Sequence, residues 1–354
     1  MQLLSIAKLL AEADIKCEIF TLERRDKSPR IQRVLAECLA IGVKVYEPHE
    51  HSSSVVFRST RIILYLIQQQ DAIVWTWGVR SDVVSKIAAM FNRRTTNIVS
   101  LRSAGEDVIR SKSPFLRFGC GRVSAYVSNS ELNIELFKRV TGIANGMFHV
   151  LRNVVPTCDA QCQSAHPVRD SSEVSALLNV AVLGNNRFHL KGYDTLLEIA
   201  RISQEAGGGM QFSIAGRDYD QTLPKKIWEH GVSESVTYVG EARDPYAFLA
   251  QNDVYLLTSR VEGMPNALFE AISIGLPVVT TDVGDLRSLF LDKNLIRICD
   301  VGDATGLWRQ LRDLQTNWIA AIETAENAKR HVLSEFGVEK FRASVLEILA
   351  TTLK

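Results

Sequence analysis

The stretch DVYLLTSRVEGMPNALFEAISIGLPVVTTDVGD, residues 253–285, decides the fold. It opens on an apolar run that predicts a short buried strand over 254–258. Residues 259–265 are polar and punctuated by Gly263 and Pro265, which marks a loop. A helix is predicted over 266–274; Gly275 stops it, Pro277 marks the exit, and Val278, Val279, Thr280 and Thr281 form the next strand. A strand–loop–helix–turn–strand unit of this kind closes as a right-handed crossover between parallel strands. Its loop falls at the carboxyl end of a strand and the amino end of a helix, the place where open α/β sheets bind ligands. Backbone amides and the helix dipole at such an end favour phosphate.

Two carboxylates flank that loop and helix, Glu262 and Glu270. A carboxylate accepts two hydrogen bonds side by side, which suits the vicinal hydroxyls of a ribose or a hexose. Gly263, Met264, Pro265 and Asn266 between them present backbone amides to a diphosphate. The ligand that fits is a nucleotide sugar, with the sugar on Glu262, the phosphates at the helix start and the ribose on Glu270. The plain alternative is a pair of glutamates that complement a helix dipole. It accounts for Glu270 alone but not for the whole stretch.

Glu262-Gly263-Met264-Pro265-Asn266-Ala267-Leu268-Phe269-Glu270, followed by Ala271, Gly275-Leu276-Pro277-Val278-Val279 and Asp282-Val283-Gly284, resembles the donor site of the retaining GT-B glycosyltransferases of family 4, with their E-x7-E motif. The resemblance implies an α/β fold of GT-B type: two Rossmann-like, doubly wound domains facing a cleft, with a C-terminal helix crossing back to the first. It places an acceptor-binding domain at 1–156, a linker at 157–173, a nucleotide-sugar-binding domain at 174–335 and the crossover helix at 336–354. It further implies transfer of a hexose from a nucleotide diphosphate sugar, UDP-, GDP- or ADP-linked, to a hydroxyl of a glycan or lipid-linked acceptor. Retention at the anomeric carbon and independence of any metal or other cofactor come with it, as does a use in surface polysaccharide biosynthesis. Two other readings stand beside this one. The first is a non-catalytic nucleotide-sugar-binding subunit of a glycan-assembly complex. The second is a hydrolase or epimerase of the same fold.

Upstream of the central stretch, residues 178–183 read as a strand buried on both faces. The loop from Gly184 to Gly192 follows, with Arg187 and Lys191, and then a helix over 193–205. Cations at a strand end and helix start grip a diphosphate leaving group. They neutralise the charge that develops as the glycosidic bond breaks. Surface charge is the alternative for both. The turn at Gly216 is similar to the family's loop beside the nucleotide base, and the loop after Gly240 is expected to line the same pocket. Asp218-Tyr219-Asp220 spells D-x-D, a metal motif of a different glycosyltransferase fold, and little weight attaches to three residues in the wrong setting. Downstream, helices are expected over 304–314, 317–334 and 338–353.

The first 156 residues begin with a helix over 1–14 and a strand over 17–22, and the resemblance expects a strand and a glycine-rich loop before them. Helices over 28–41 and 56–70 and strands over 43–46, 71–76 and 97–101 follow. Two strand ends face the expected crevice. One carries Trp77, a packing residue or a sugar-stacking platform. The other carries Arg102 and Ser103 where many relatives have a histidine-glycine pair; Arg102 is suited to an acceptor phosphate, the leaving diphosphate or a surface ion pair. A helix is expected over 116–123, a strand over 124–128, a helix from 131 to 140 and a strand over 149–152.

At 354 residues, 46% of them hydrophobic, the chain is that of a two-domain globular protein without an apolar run of membrane-span length. The amino terminus lacks the order of a signal peptide, and a cytoplasmic location, with peripheral contact at the inner face of the membrane, is expected. Six cysteines without a C-x-x-C pair point to reduced thiols rather than zinc. His49 and His51 lack a third ligand nearby. Residues 1–155 carry 22 lysines and arginines against 14 aspartates and glutamates, whereas the remainder carries 19 against 26. The basic half is therefore suited to an anionic partner, membrane headgroups or a lipid-linked phosphate, and a solvated surface of uneven charge accounts for it as well. No recognition motif for nucleic acid accompanies it.

Overall fold

The computed structural model describes residues 2–22, 29–46, 54–101, 106–155, 170–290 and 294–353. The chain forms two compact units, one from Met1–Val154 together with Val338–Lys354, the other from Val155–Gly337.

In the first unit, strands β1 (Glu18–Phe20) and β2 (Lys44–Tyr46) pair in parallel as a two-stranded sheet. Strands β3 (Ile73–Trp77), β4 (Thr96–Leu101), β5 (Ala125–Ser128) and β6 (Met147–Val150) form a second parallel sheet in that order. The helix Gln2–Glu12 serves both sheets. Its Ile6 and Leu9 join Ile98, Ala125, Val127 and Leu151 in one core, and its Ala7 joins Ile19, Leu35, Cys38 and Val43 in another. The helix Val338–Thr352 adds Phe341, Val345 and Ile348 to the first of these cores. The helix Val338–Thr352, which follows the second unit in the chain, thus packs into the core of the first.

One expectation in this unit fails. The helix expected over 116–123 lies at Glu106–Arg117, and residues 120–122 form a single 3-10 turn. Pro114 and the polar run before it disguise the helix. Glu106 and Asp107 in its first turn suit the dipole, and Ile109 and Leu116 bury the inner face. Gly119, at φ 60°, separates helix from turn. The polar stretch read as a linker over 157–173 also gives way at its end. Asp170 caps a helix at Ser171–Ala176 by accepting from the Ser172 amide, and 157–169 lie outside the described residues.

The second unit holds six parallel strands: β7 (Leu178–Leu183), β8 (Met210–Ala215), β9 (Val236–Gly240), β10 (Val254–Leu257), β11 (Val278–Thr281) and β12 (Arg297–Cys299). Their order is β12-β11-β10-β7-β8-β9. The chain starts at the middle of the sheet, winds outward to β9, returns beside β7 and winds out the other way. Successive side chains of the central strands alternate between two cores. Val180, Val182, Val254 and Leu256 enter one, and Ala181, Tyr255 and Leu257 enter the other. This is why both strands read as unbroken apolar runs. The winding reverses between β7 and β10, and at that switch point the loops leaving two neighbouring strands diverge and leave a crevice.

Candidate active site

The two loops at the reversal are 184–192 after β7 and 258–265 after β10. Each leads into a helix, Tyr193–Glu205 and Asn266–Ser273 respectively. The loops are stitched together. Thr258 Oγ1 donates to the Lys191 carbonyl at 2.8 Å, and the Arg260 amide donates to the Leu190 carbonyl at 2.9 Å. Gly192, at φ 62°, lets the helix start lie against the end of β10, because a Cβ there would stand 1.9 Å from the Thr258 carbonyl oxygen. From the far side, Thr281 Oγ1 of β11 donates to the Ser259 carbonyl at 2.6 Å.

Two ion pairs cross this seam. The Lys191 ammonium donates to Glu262 Oε1 at 2.6 Å, and Ser259 Oγ donates to the same oxygen at 3.0 Å. Glu262 Oε2 takes no hydrogen bond among the described residues. Further out, Arg260 holds Asp194 with two nitrogens, at 2.7 and 2.8 Å, and also donates to the His189 carbonyl at 2.8 Å. Burial alone would raise the Asp194 carboxyl, but the bonds from Arg260 and the Thr195 amide outweigh it and hold it below the ordinary range. Lys191 and Glu262, picked from the sequence for separate roles, are thus brought into contact. Arg260, Asp194, Ser259 and Thr258 were not picked. Their one sequence signal is a charge alternation, Lys191 to Asp194 on one loop and Arg260 to Glu262 on the other, and nothing in a single sequence says that the two segments meet.

The remaining residues divide. Arg187 is exposed, and its guanidinium has no partner among the described residues. Gly184 donates its amide to the Ala215 carbonyl and accepts from the Tyr193 hydroxyl at 2.6 Å. Gly263 and Pro265 are buried, and the Met264 side chain packs into the core with Leu257, Leu268 and Phe269. Pro265 precedes the helix Asn266–Ser273 and gives it no side-chain cap. Glu270 is half-buried in that helix. Beneath it Tyr255 is wholly buried with its hydroxyl unpaired, and burial, then Glu262, Tyr193 and Glu270, push its phenol well above the ordinary range. Gly216 and Gly240 meet by a backbone bond of 2.8 Å at the ends of β8 and β9, where Tyr238 donates to the Gly216 carbonyl.

Asp218 of the D-x-D triplet is a structural group. Its oxygens accept from Asn186 at 2.6 Å and from the Leu223 amide at 2.8 Å. Among the described residues no three histidine, cysteine or acidic side chains are grouped to hold a metal. In the first unit Trp77 stacks on Trp75, with ring centroids 5.5 Å apart, and packs against the core that holds Ile98 and Leu151. Arg102 and Ser103 lie outside the described residues, as do His49, His51, Cys158 and Cys162. No described helix is long and apolar enough to cross a membrane.

The family model described as glycosyl transferases group 1 matches residues 177–331, which contain both loops and all six strands of this sheet. Among curated proteins, the chain aligns with the lipopolysaccharide core biosynthesis glycosyltransferase LpsE of Rhizobium meliloti, 27% identical over 172 residues, 48% of this chain and 49% of that one. It also aligns with the amylovoran biosynthesis glycosyltransferase AmsK of Erwinia amylovora, 27% identical over 168 residues, 45% of this chain and 41% of that one. The matched parts are thus half or less of these relatives. Among solved structures, Anabaena HepE in complex with UDP and glucose superposes with a TM-score of 0.79 at 16% identity, covering 99% of this chain and 96% of that one. The apo form of the lipopolysaccharide outer core galactosyltransferase WaaB gives 0.71 at 18% identity, covering 98% and 94%. At such identity the likeness is one of fold, and the fold is GT-B: two Rossmann-like units and a C-terminal helix.

Proposed function

We propose that the chain is a retaining glycosyltransferase of the E-x7-E type that moves a hexose from a nucleotide diphosphate sugar to a hydroxyl of a glycan or lipid-linked acceptor in surface polysaccharide assembly. The observation that carries the reading is the Lys191–Glu262 contact at the switch point, where the loop 258–265 leads into the helix Asn266–Ser273. A cation, a carboxylate and a helix amino end at one strand end suit a diphosphate joined to a sugar. In this reading Lys191 and Arg187 hold the diphosphate, Glu262 the transferred sugar and Glu270 the ribose diol. Gly216 and Gly240 leave room for the base. The acceptor oxygen bonds to the anomeric carbon as the bond to the diphosphate oxygen breaks, and the hydroxyl proton passes to the departing diphosphate. The charge left on the diphosphate falls on Lys191, Arg187 and the helix amides, so the residues present supply the stabilisation without a metal. The relatives named for lipopolysaccharide and amylovoran synthesis, and the HepE complex with UDP and glucose, support the substrate class.

An anionic, lipid-borne partner fits the first unit. Between residues 51 and 105 the only acidic residues are Asp71 and Asp82, and Asp82 is buried. The same stretch exposes Val56, Phe57, Leu64, Met90 and Phe91, with Arg61, Arg93 and Arg94 exposed beside them in sequence. Apolar side chains beside cations that have no ion pair among the described residues suit a headgroup layer.

The test is thermal stability against UDP-, GDP- and ADP-linked sugars. A donor present at a hundred times its Kd stabilises by about 2.7 kcal/mol, and the transition rises by roughly 5–10 °C. One donor is expected to give that shift, and Glu270→Ala to abolish it. An unchanged shift in Glu270→Ala would remove the ribose role, and no shift with any donor would remove the function.

A further inference from the structure

Donor binding, as proposed above, asks Lys191 and Glu262 to part. Without donor, each is the other's partner at 2.6 Å. With donor, the ammonium turns to a diphosphate and the carboxylate to sugar hydroxyls. The seam between the two loops then loses its innermost charged contact just when both side chains must be held in place. The bonds that stay are those from Thr258 to Lys191 and from Arg260 to Leu190 and His189, together with the Arg260–Asp194 pair.

The outer pair is built for that duty. Asp194 stands in the first turn of the helix that begins directly after Lys191, and Arg260 stands two residues before Glu262. One rigid bidentate contact therefore ties the segment bearing the cation to the segment bearing the carboxylate. Three of the five guanidinium N–H donors are engaged: Nη1 serves Asp194 and the His189 carbonyl, and Nη2 serves the second Asp194 oxygen. The charges also alternate across the seam. Lys191 faces Glu262 and Asp194 faces Arg260.

Resting on the nucleotide-sugar reading of this site, we propose that Arg260 and Asp194 are positioning residues. They form an outer ion pair that keeps 184–192 and 258–265 in register while the donor separates Lys191 from Glu262. A displacement of about 1 Å in a group that holds a substrate is enough to cost one or two orders of magnitude.

The sign of one substitution tests it. Asp194→Asn removes a negative charge close to an anion site. If Arg260 bound the diphosphate itself, or if only local charge mattered, this change would leave UDP, GDP or ADP binding equal or tighter. Positioning demands the opposite: about tenfold weaker binding of whichever diphosphate the unaltered chain takes, measured by titration calorimetry, and a lower kcat with the matching sugar donor. Arg260→Lys, which keeps the charge and loses the fork, should weaken binding by a similar factor, and the double variant should be no worse than either single one, because the pair acts as a unit. Melting temperatures of all three are taken alongside, and Arg260→Lys carries the test if Asp194→Asn does not fold. Equal or tighter binding in Asp194→Asn, or additive losses in the double variant, overturns the proposal while leaving the donor site standing. If the unaltered chain binds none of the three diphosphates, the reading of the site fails and the proposal fails with it.

Discussion

Replacing Gly192 by alanine tests the seam at its tightest point. The new Cβ would lie 1.9 Å from the Thr258 carbonyl oxygen and 2.9 Å from the carbonyl carbon, both main-chain atoms at the end of a central strand. To reach ordinary separation the loop or the strand must retreat by roughly 1.5 Å. The left-handed backbone adds about 1 kcal/mol for a residue with a Cβ. Overpacking against an inflexible neighbour costs about 1–3 kcal/mol. Retreat also stretches the bond from Thr258 to the Lys191 carbonyl, worth about 1 kcal/mol. Together these give about 4 kcal/mol, or a fall near 10 °C in a unit of this size. Gly207→Ala is the control. It too has positive φ, but nothing lies within 4 Å of its added Cβ, so only the backbone cost of about 1 kcal/mol applies. Calorimetric scans of the two variants measure the difference. Equal losses would show that close approach is not what requires glycine after Lys191, and the description of the seam would be wrong.

Asp82 makes the first unit sensitive to pH. Burial raises its carboxyl from the ordinary 3.8 to about 6, against the smaller opposing effects of the Thr76 hydroxyl at 2.6 Å and of Lys86. The folded state therefore binds the proton more tightly than the unfolded one, and stability is lost as pH rises from about 4 to about 6 and stays lost above. The loss is on the order of 3 kcal/mol. Urea titrations at pH 4 and pH 7 should show Asp82→Asn gaining on the unaltered chain with rising pH, and a constant gap between them would refute the assignment. For the exposed apolar and cationic surface, sedimentation with phosphatidylglycerol vesicles is expected to carry the chain down at low salt. Phe91→Ser combined with Arg94→Glu should reduce that by several-fold, and binding unchanged by the pair would exclude this face.

How far the sequence could be read depended on where the information lies. Val180 to Leu183 and Val278 to Thr281 are buried on both faces, so hydrophobicity alone marks them, and their bounds agree with the structure to within a residue or two. The helix Tyr193–Glu205 agrees residue for residue. Glu106–Arg117 was hidden because its charge pattern favours a helix while Pro114 and its low mean hydropathy argue against one. The short helix Leu223–Glu229 passed unread for the same want of apolar periodicity. In the candidate site, Glu262 and Lys191 were legible by type: a glutamate before a helix, a lysine before another. What joins them was not. The contact between Lys191 and Glu262 spans 71 positions, and that between Asp194 and Arg260 spans 66, so both depend on β7 and β10 being neighbours. For Trp77, an aromatic at a strand end, the sequence could not show the neighbour Trp75 stacked on it.

The helix Val338–Thr352 has a consequence for how the protein is made. A ribosome delivers the chain from its amino end, and domains generally fold as units while synthesis continues. The second unit, continuous from 155 to 337, can close as soon as it has emerged. The first cannot, although it comes out first. Ile6, Leu9, Ile98 and Leu151 wait for Phe341, Val345 and Ile348, which are made after the whole second unit. The earlier-made unit stays open until then, with apolar surface accessible to chaperones. A nascent chain arrested near residue 337 should accordingly hold a folded second unit and a protease-sensitive first one.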